Sequence, residues 1–197
     1  GNPLASSREL VTDHETTPDW IDLAGVTSAA TAESTVAALL TGETFSESRE
    51  YDALNRLVSA TAPDGSVFTP TYNEASLLEA VEVAVRGGAA RTFVRNIDYD
   101  AKGQRTRIEY SDEDPGDAMA DAPTFLTEYT YDPLTFRLTQ LVTTRVSDSR
   151  VLQDLSYTLD PVGNIVRIID DAQQTTFFNN AVVLPENGYL YDAFYRL

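Results

Sequence analysis

The chain has 197 residues, 42% of them hydrophobic and 23% charged, which is the composition of a globular protein rather than a disordered one. Its 31 acidic residues against 14 basic ones leave a formal charge of −17, which repels phosphate backbones and argues against nucleic-acid binding. There is no cysteine and a single histidine, so disulfides, thiolate nucleophiles, Cys-based zinc sites and multi-histidine metal sites are excluded together.

No stretch reaches the roughly 18 apolar residues that a membrane-spanning helix requires. The opening GNPLASSREL lacks the basic-then-apolar order of a signal peptide. Residues 1–27 read as the end of a strand followed by an irregular connection, with Trp20 beside Ile21 and Leu23 after the turn-like Thr17-Pro18-Asp19. Thr27 or Ser28 can cap a helix over about 29–41, running to about Leu40 and stopped by Gly42. Val36, Leu39 and Leu40 would form its narrow apolar face. The chain therefore divides into 1–45, a partial repeat plus a helix-bearing connection, and 46–197, a repeat region.

The repeat is the main signal. Six segments follow one pattern, starting at Tyr51 (YDALNRL), Tyr72 (YNEASLL), Tyr99 (YDAKGQR), Tyr131 (YDPLTFR), Leu159 (LDPVGN) and Tyr191 (YDAFYRL). The starts lie 21, 27, 32, 28 and 32 residues apart. Each copy has an aromatic residue, then Asp or Asn (Asp52, Asn73, Asp100, Asp132, Asp160, Asp192), then a turn and an alternating strand. Leu159 replaces the aromatic in one copy, and Asn73 replaces Asp in another, which also lacks a glycine turn. Tyr129 and Tyr131, two apart, share a strand face. Asp132 then favours a turn through bonds from its carboxylate to nearby backbone amides. Gly163-Asn164 supplies residues that tolerate positive φ.

Two segments stand apart. EASLLEAVEVAVRGG (74–88) has helical propensity and a Gly-Gly stop, but the repeat register, with Val81, Val83 and Val85 alternating, favours strand. SDEDPGDAMADAP (111–123) reads as a long, exposed acidic loop. Its carboxylates, Asp112 to Asp121, could offer calcium several oxygens, but the spacing fits no EF-hand and a solvated loop is the better reading.

Catalytic candidates are few. Adjacent Tyr and Asp side chains on a strand point to opposite faces, so a Tyr-Asp pair is not an acid/base dyad. His14 sits between Asp13 and Glu15 in a polar segment and reads as a surface histidine. No nucleophile elbow or phosphate-cradling glycine loop is present. Catalytic, cofactor and metal residues are accordingly predicted to be absent.

YDALNRL, YDAKGQR, LDPVGN and YDAFYRL resemble the YD repeats of the Rhs family, which includes bacterial insecticidal toxin-complex subunits and the animal teneurins. The run from Asp170 to Leu197 is most similar to the repeat region of toxin-complex B-type proteins. The resemblance covers about 46–197, and Gly1-Asn2 matches Gly163-Asn164, so the chain is expected to begin and end inside a repeat. It implies a mainly β fold of antiparallel hairpins laid in a curved strip, part of a hollow β-shell, with one short N-terminal helix. It further implies a non-catalytic wall role around a C-terminal toxic effector, in a secreted or bacterial cell-surface protein. The implied partners are neighbouring YD repeats, the enclosed effector and a translocation-channel subunit. A cell-surface adhesion module recognising glycans or a partner protein is the alternative. Clustered exposed aromatics would favour adhesion, and aromatics buried between strands would favour the shell.

Overall fold

The structure is a computed structural model that describes residues 2–13, 15, 19–111, 123–192, 194 and 196. His14 and the acidic residues 112–122 lie outside the described residues. The chain divides into two compact units, Gly1–Thr69 with Ala84–Gly88, and Pro70–Val83 with Ala89–Leu197.

In the first unit, β1 (Ala5–Val11), β2 (Leu40–Tyr51), β3 (Leu57–Thr61) and β4 (Val67–Tyr72, whose last three residues pass into the second unit) lie in sequence order. β1 pairs antiparallel with β2, from Ala5 opposite Ser48 to Val11 opposite Leu40. Between them runs α1 (Ala29–Val36), capped by Ser28, whose Oγ accepts the Thr31 N–H at 3.1 Å. The helix is shorter than the sequence suggested. It passes into a 3-10 turn over Ala37–Leu39, and Leu40 already opens β2 by pairing with Val11. Gly42 therefore lies inside a strand, at φ +73°, and is not a helix stop.

The second unit contains β5 (Leu78–Ala84, whose last residue falls in the first unit), β6 (Ala90–Tyr99), β7 (Arg105–Tyr110), β8 (Phe125–Tyr131), β9 (Leu138–Arg145), β10 (Arg150–Leu159) and β11 (Ile165–Asp170). β5 to β11 are neighbours in chain order, and β14 (Glu186–Gly188) then pairs with β11. β12 (Thr176–Phe178) and β13 (Ala181–Val183) form a separate two-stranded hairpin. The strand pairings among the described residues are antiparallel, which is the mainly β hairpin architecture expected. Residues 78–84 are strand, so the repeat register overrode helical propensity there. Val85 nevertheless leaves the alternation and begins a 3-10 turn.

Burial is thin. Among the described residues the buried hydrophobic side chains are Val83, Ile97 and Ile108, and the buried polar ones are Ser66, Ser111 and Thr127. Three of these form one row across the sheet: Ile97 opposes Ile108, Ile108 opposes Thr127, and Thr127 opposes Thr143. The Thr127 and Thr143 hydroxyls meet at 2.9 Å, which satisfies a polar group that burial would otherwise penalise. On β8, Tyr129 and Tyr131 are half-buried while Glu128 and Thr130 are exposed, the alternation that a shared face demands.

Candidate functional site

The Asp or Asn after each repeat aromatic leaves the strand and closes a turn. Asp52 Oδ1 accepts the N–H groups of Leu54 and Arg56, both at 2.9 Å. Its own N–H donates to the Arg56 carbonyl, and the Asn55 N–H donates to the Asp52 carbonyl. The same bonds recur at Asn73 with Ala75 and Leu77, and at Asp100 with Lys102 and Gln104. Asp192 Oδ1 likewise takes the N–H groups of Phe194 and Arg196. Asn73 serves as well as Asp because the turn uses one side-chain oxygen, which an amide also provides. Asp160 Oδ1 accepts three N–H groups, from Val162, Gly163 and Asn164. The turn at Asp132 is one residue longer, since its N–H donates to Arg137. Five of these six turns each place one described residue at positive φ: Asn55 (65°), Ser76 (62°), Gly103 (79°), Phe136 (59°) and Gly163 (107°).

Three turns also engage the second oxygen. Arg56 Nε and Arg196 Nε reach Asp52 Oδ2 and Asp192 Oδ2 at 2.7 and 2.8 Å, and Asn164 Nδ2 reaches Asp160 Oδ2 at 2.8 Å. Sequence reasoning missed the two arginines, although the Asp-to-Arg spacing in YDALNR and YDAFYR carried the signal. Turns also bond to one another. In the first unit Asn2 Nδ2 donates to Asn55 Oδ1 at 3.0 Å. In the second, Gln104 Nε2 donates to the Phe136 carbonyl at 2.8 Å, and Arg137 donates to the carbonyls of Asp160 and Pro161 at 3.1 and 3.2 Å.

The repeat tyrosines tie strands together at the same positions. The hydroxyl of Tyr99 donates to the Leu78 carbonyl at 2.7 Å, that of Tyr131 to Arg105 at 2.9 Å, and that of Tyr191 to Ile165 at 2.9 Å. Each acceptor is the first residue of a strand. Tyr51 reaches the Pro3 carbonyl, just before β1, at 3.5 Å. Burial pushes the phenols of Tyr99 and Tyr131 above the ordinary tyrosine range, which suits a donor and not a base at neutral pH.

Leu159 ends β10 without a hydroxyl, and the corresponding first residue of the preceding strand is Leu138. Tyr99→Phe is expected to cost about 1 kcal/mol, the net worth of one hydrogen bond. Leu159→Tyr is expected to raise stability by a similar or smaller amount, measured by urea unfolding of both variants. Destabilisation by Leu159→Tyr would show that the carbonyl of Leu138 is out of reach.

The turn carboxylates are held in the charged form. The Arg56 N–H keeps Asp52 below the usual carboxylate range, the Thr135 N–H does so for Asp132, and the Arg196 N–H for Asp192. At Asp160 burial works against the anion, and the bonds from Asn164, Gly163 and Val162 outweigh it. In the β9–β10 turn the Arg145 guanidinium lowers Asp148 to about 2. A folded-state pKa below the unfolded value gives stability that is present above the unfolded pKa and lost as pH falls through the folded one. Stability is therefore expected to hold from neutral pH to about 4, near the unfolded carboxylate value, and to fall between there and about 2, where Asp148 titrates. Unfolding free energy measured across that window checks this, and a curve flat down to pH 2 would contradict it.

Nothing in this arrangement is a nucleophile–base pair. No group of three or more His, Asp or Glu able to hold a metal occurs among the described residues, and no described helix is long and apolar enough to cross a membrane. The fold and its stacked acidic turns define a class, the tandem antiparallel β-hairpin repeat. No protein-family profile matches the chain. It is 35% identical to toxin subunit YenC1 of Yersinia entomophaga over 91% of its length, and 31% identical to toxin subunit YenC2 of the same organism over 100%. It spans 17% and 19% of the lengths of those subunits. A crystal structure of TcdB2-TccC3 with Cdc42 matches 99% of the chain at 30% identity with a TM-score of 0.68. A Photorhabdus luminescens Tc holotoxin pore matches 99% at 30% identity with a TM-score of 0.69, and the chain covers 8% of each matched structure. The chain is therefore similar to one stretch of toxin-complex subunits, in line with the resemblance of its repeats to YD repeats.

Proposed function

We propose that this segment is wall: a non-catalytic stretch of a YD-repeat shell that encloses an effector polypeptide before translocation. In this reading Tyr51, Tyr72, Tyr99, Tyr131 and Tyr191, with Asp52, Asn73, Asp100, Asp132, Asp160 and Asp192, are structural. The observation that carries it is the succession of hairpins whose turns and tyrosines bond to the next hairpin, in a chain alike over 99% of its length to TcdB2-TccC3. All nine described tyrosines are half-buried and none is exposed, which supports packing between strands over an aromatic display. Three buried hydrophobic side chains among the described residues give little core, so sheet of this kind needs neighbours to cover its faces. The parent is read as an exported or surface toxin component, with adjoining repeats, an enclosed effector and a channel subunit as its partners.

Limited proteolysis of the full-length parent, native and after mild unfolding, tests this when its C-terminal region is followed by mass spectrometry. Protection that disappears once the shell opens is expected. Equal digestion in both states would remove containment. A second reading, an adhesion module, draws on the β12–β13 hairpin, where Phe177 and Phe178 are 70% and 74% exposed.

A further inference from the structure

Beside α1, in a part of the first unit that the repeat turns do not use, lies a cavity of about 310 Å³. Trp20, Leu23, Val36 and Leu39 give it apolar walls, and Asp19 and Asp22 stand at the same cavity. Asp19 Oδ1 accepts the Ile21 N–H at 3.0 Å, which fixes that carboxylate against the 3-10 turn of Ile21–Leu23. No Lys or Arg is among the residues that line it.

We propose that this cavity binds an organic cation carried on a short aliphatic arm, a guanidinium or alkylammonium group. The argument is one of matching chemistry. An indole face attracts a cation through its quadrupole, two carboxylates add charge, and Leu23, Val36 and Leu39 accept methylenes. An anion would meet both carboxylates and a chain of net charge −17. A neutral apolar ligand would strip water from the carboxylates and return nothing for it. The volume is at the small end of the range for ligand sites, which suits an arm of a few carbons with one charged head. The cation can come from a free amine or from an Arg or Lys side chain of a polypeptide, and both present the same head group.

Trp20 is the only tryptophan in the chain, so its fluorescence reports the cavity directly. The experiment titrates the 197-residue chain with agmatine, with Nα-acetyl-arginine N-methylamide, and with neutral N-butylurea. Agmatine is expected to produce a saturable change with a Kd of about 1 mM, the strength of a few weak contacts. Binding should weaken at least about tenfold in Asp22→Asn, and weaken as salt rises from about 50 to 300 mM. N-butylurea should give no saturation. Saturation by the arginine amide as well assigns the site to a polypeptide side chain, and saturation by agmatine alone assigns it to a free amine. Asp22 is exposed, so Asp22→Asn should fold, with a superimposable far-UV spectrum. Asp19→Asn, which keeps an oxygen for the Ile21 N–H, is the second variant and should also weaken binding. A linear response to agmatine, equal saturation by N-butylurea, or unchanged affinity in both folded variants overturns the proposal.

Discussion

Ile108→Ala is expected to lower unfolding free energy by about 3 kcal/mol, within the range for truncating a buried isoleucine. Ile108 is 4% exposed and Ile97, directly opposite, is 6% exposed, in a chain with one other buried hydrophobic side chain among the described residues. The loss should therefore fall on a large share of the available core. The neighbour beyond Ile108 is Thr127, also 4% exposed, whose hydroxyl is committed to Thr143 and cannot move far to fill a void. Ile97→Ala should cost a comparable amount. The double variant should depart from the sum of the two, because both truncations open the same space. Urea unfolding of the three variants checks this, and a change below about 0.5 kcal/mol for Ile108→Ala, the size of an ordinary surface substitution, would mean that the row is not core.

Gly163→Ala is the second large effect, expected to cost about 1–3 kcal/mol through backbone strain. Gly163 sits at φ +107°, a conformation that side chains disfavour, and an added Cβ would meet the Arg137 guanidinium at 3.1 Å. A guanidinium can swing aside, but here doing so breaks its bonds to the Asp160 and Pro161 carbonyls and disconnects two turns. The two causes separate in a double-mutant cycle. Arg137→Ala should relieve the steric part and leave the backbone part, so the glycine substitution should cost less in that background. Equal cost in both backgrounds would assign the whole effect to φ.

Much of this arrangement was legible because it repeats. Aromatic residues followed by Asp or Asn mark strand ends, and a period of two places Tyr129 and Tyr131 on one face, where the structure has them. What was not legible depends on contacts. Nothing local announces that Phe136 or Ser76 takes positive φ. Each does so because its turn is closed at both ends by paired strands, and that pairing outweighs a local penalty. The end of α1 was misplaced because Leu40 fits a helical apolar face as well as a strand. Pairing with Val11, 29 residues earlier in the numbering, decided between them. The β12–β13 hairpin did leave a local sign that went unread. Asn179-Asn180, both at positive φ (49° and 61°), stand between FF and AVV, the residue type that tight hairpin turns favour. Of the candidate site, the Asp and Tyr positions were visible, while their partners, the carbonyls of Leu78, Arg105 and Ile165, belong to the backbone and have no sequence signature.

The strictly successive order of β6 to β11 bears on how such a chain can be taken apart. No strand there is inserted between two that formed earlier, so nothing must be unthreaded, and pulling on one terminus of that run would peel it strand by strand. Repeat arrays with nearest-neighbour contacts fold and unfold in this serial way, with short loop closures that keep folding fast. Under mechanical load the expected signature is a staircase of small rips, one strand at a time, with the Tyr131 hydroxyl tie to the start of β7 broken as β8 comes away.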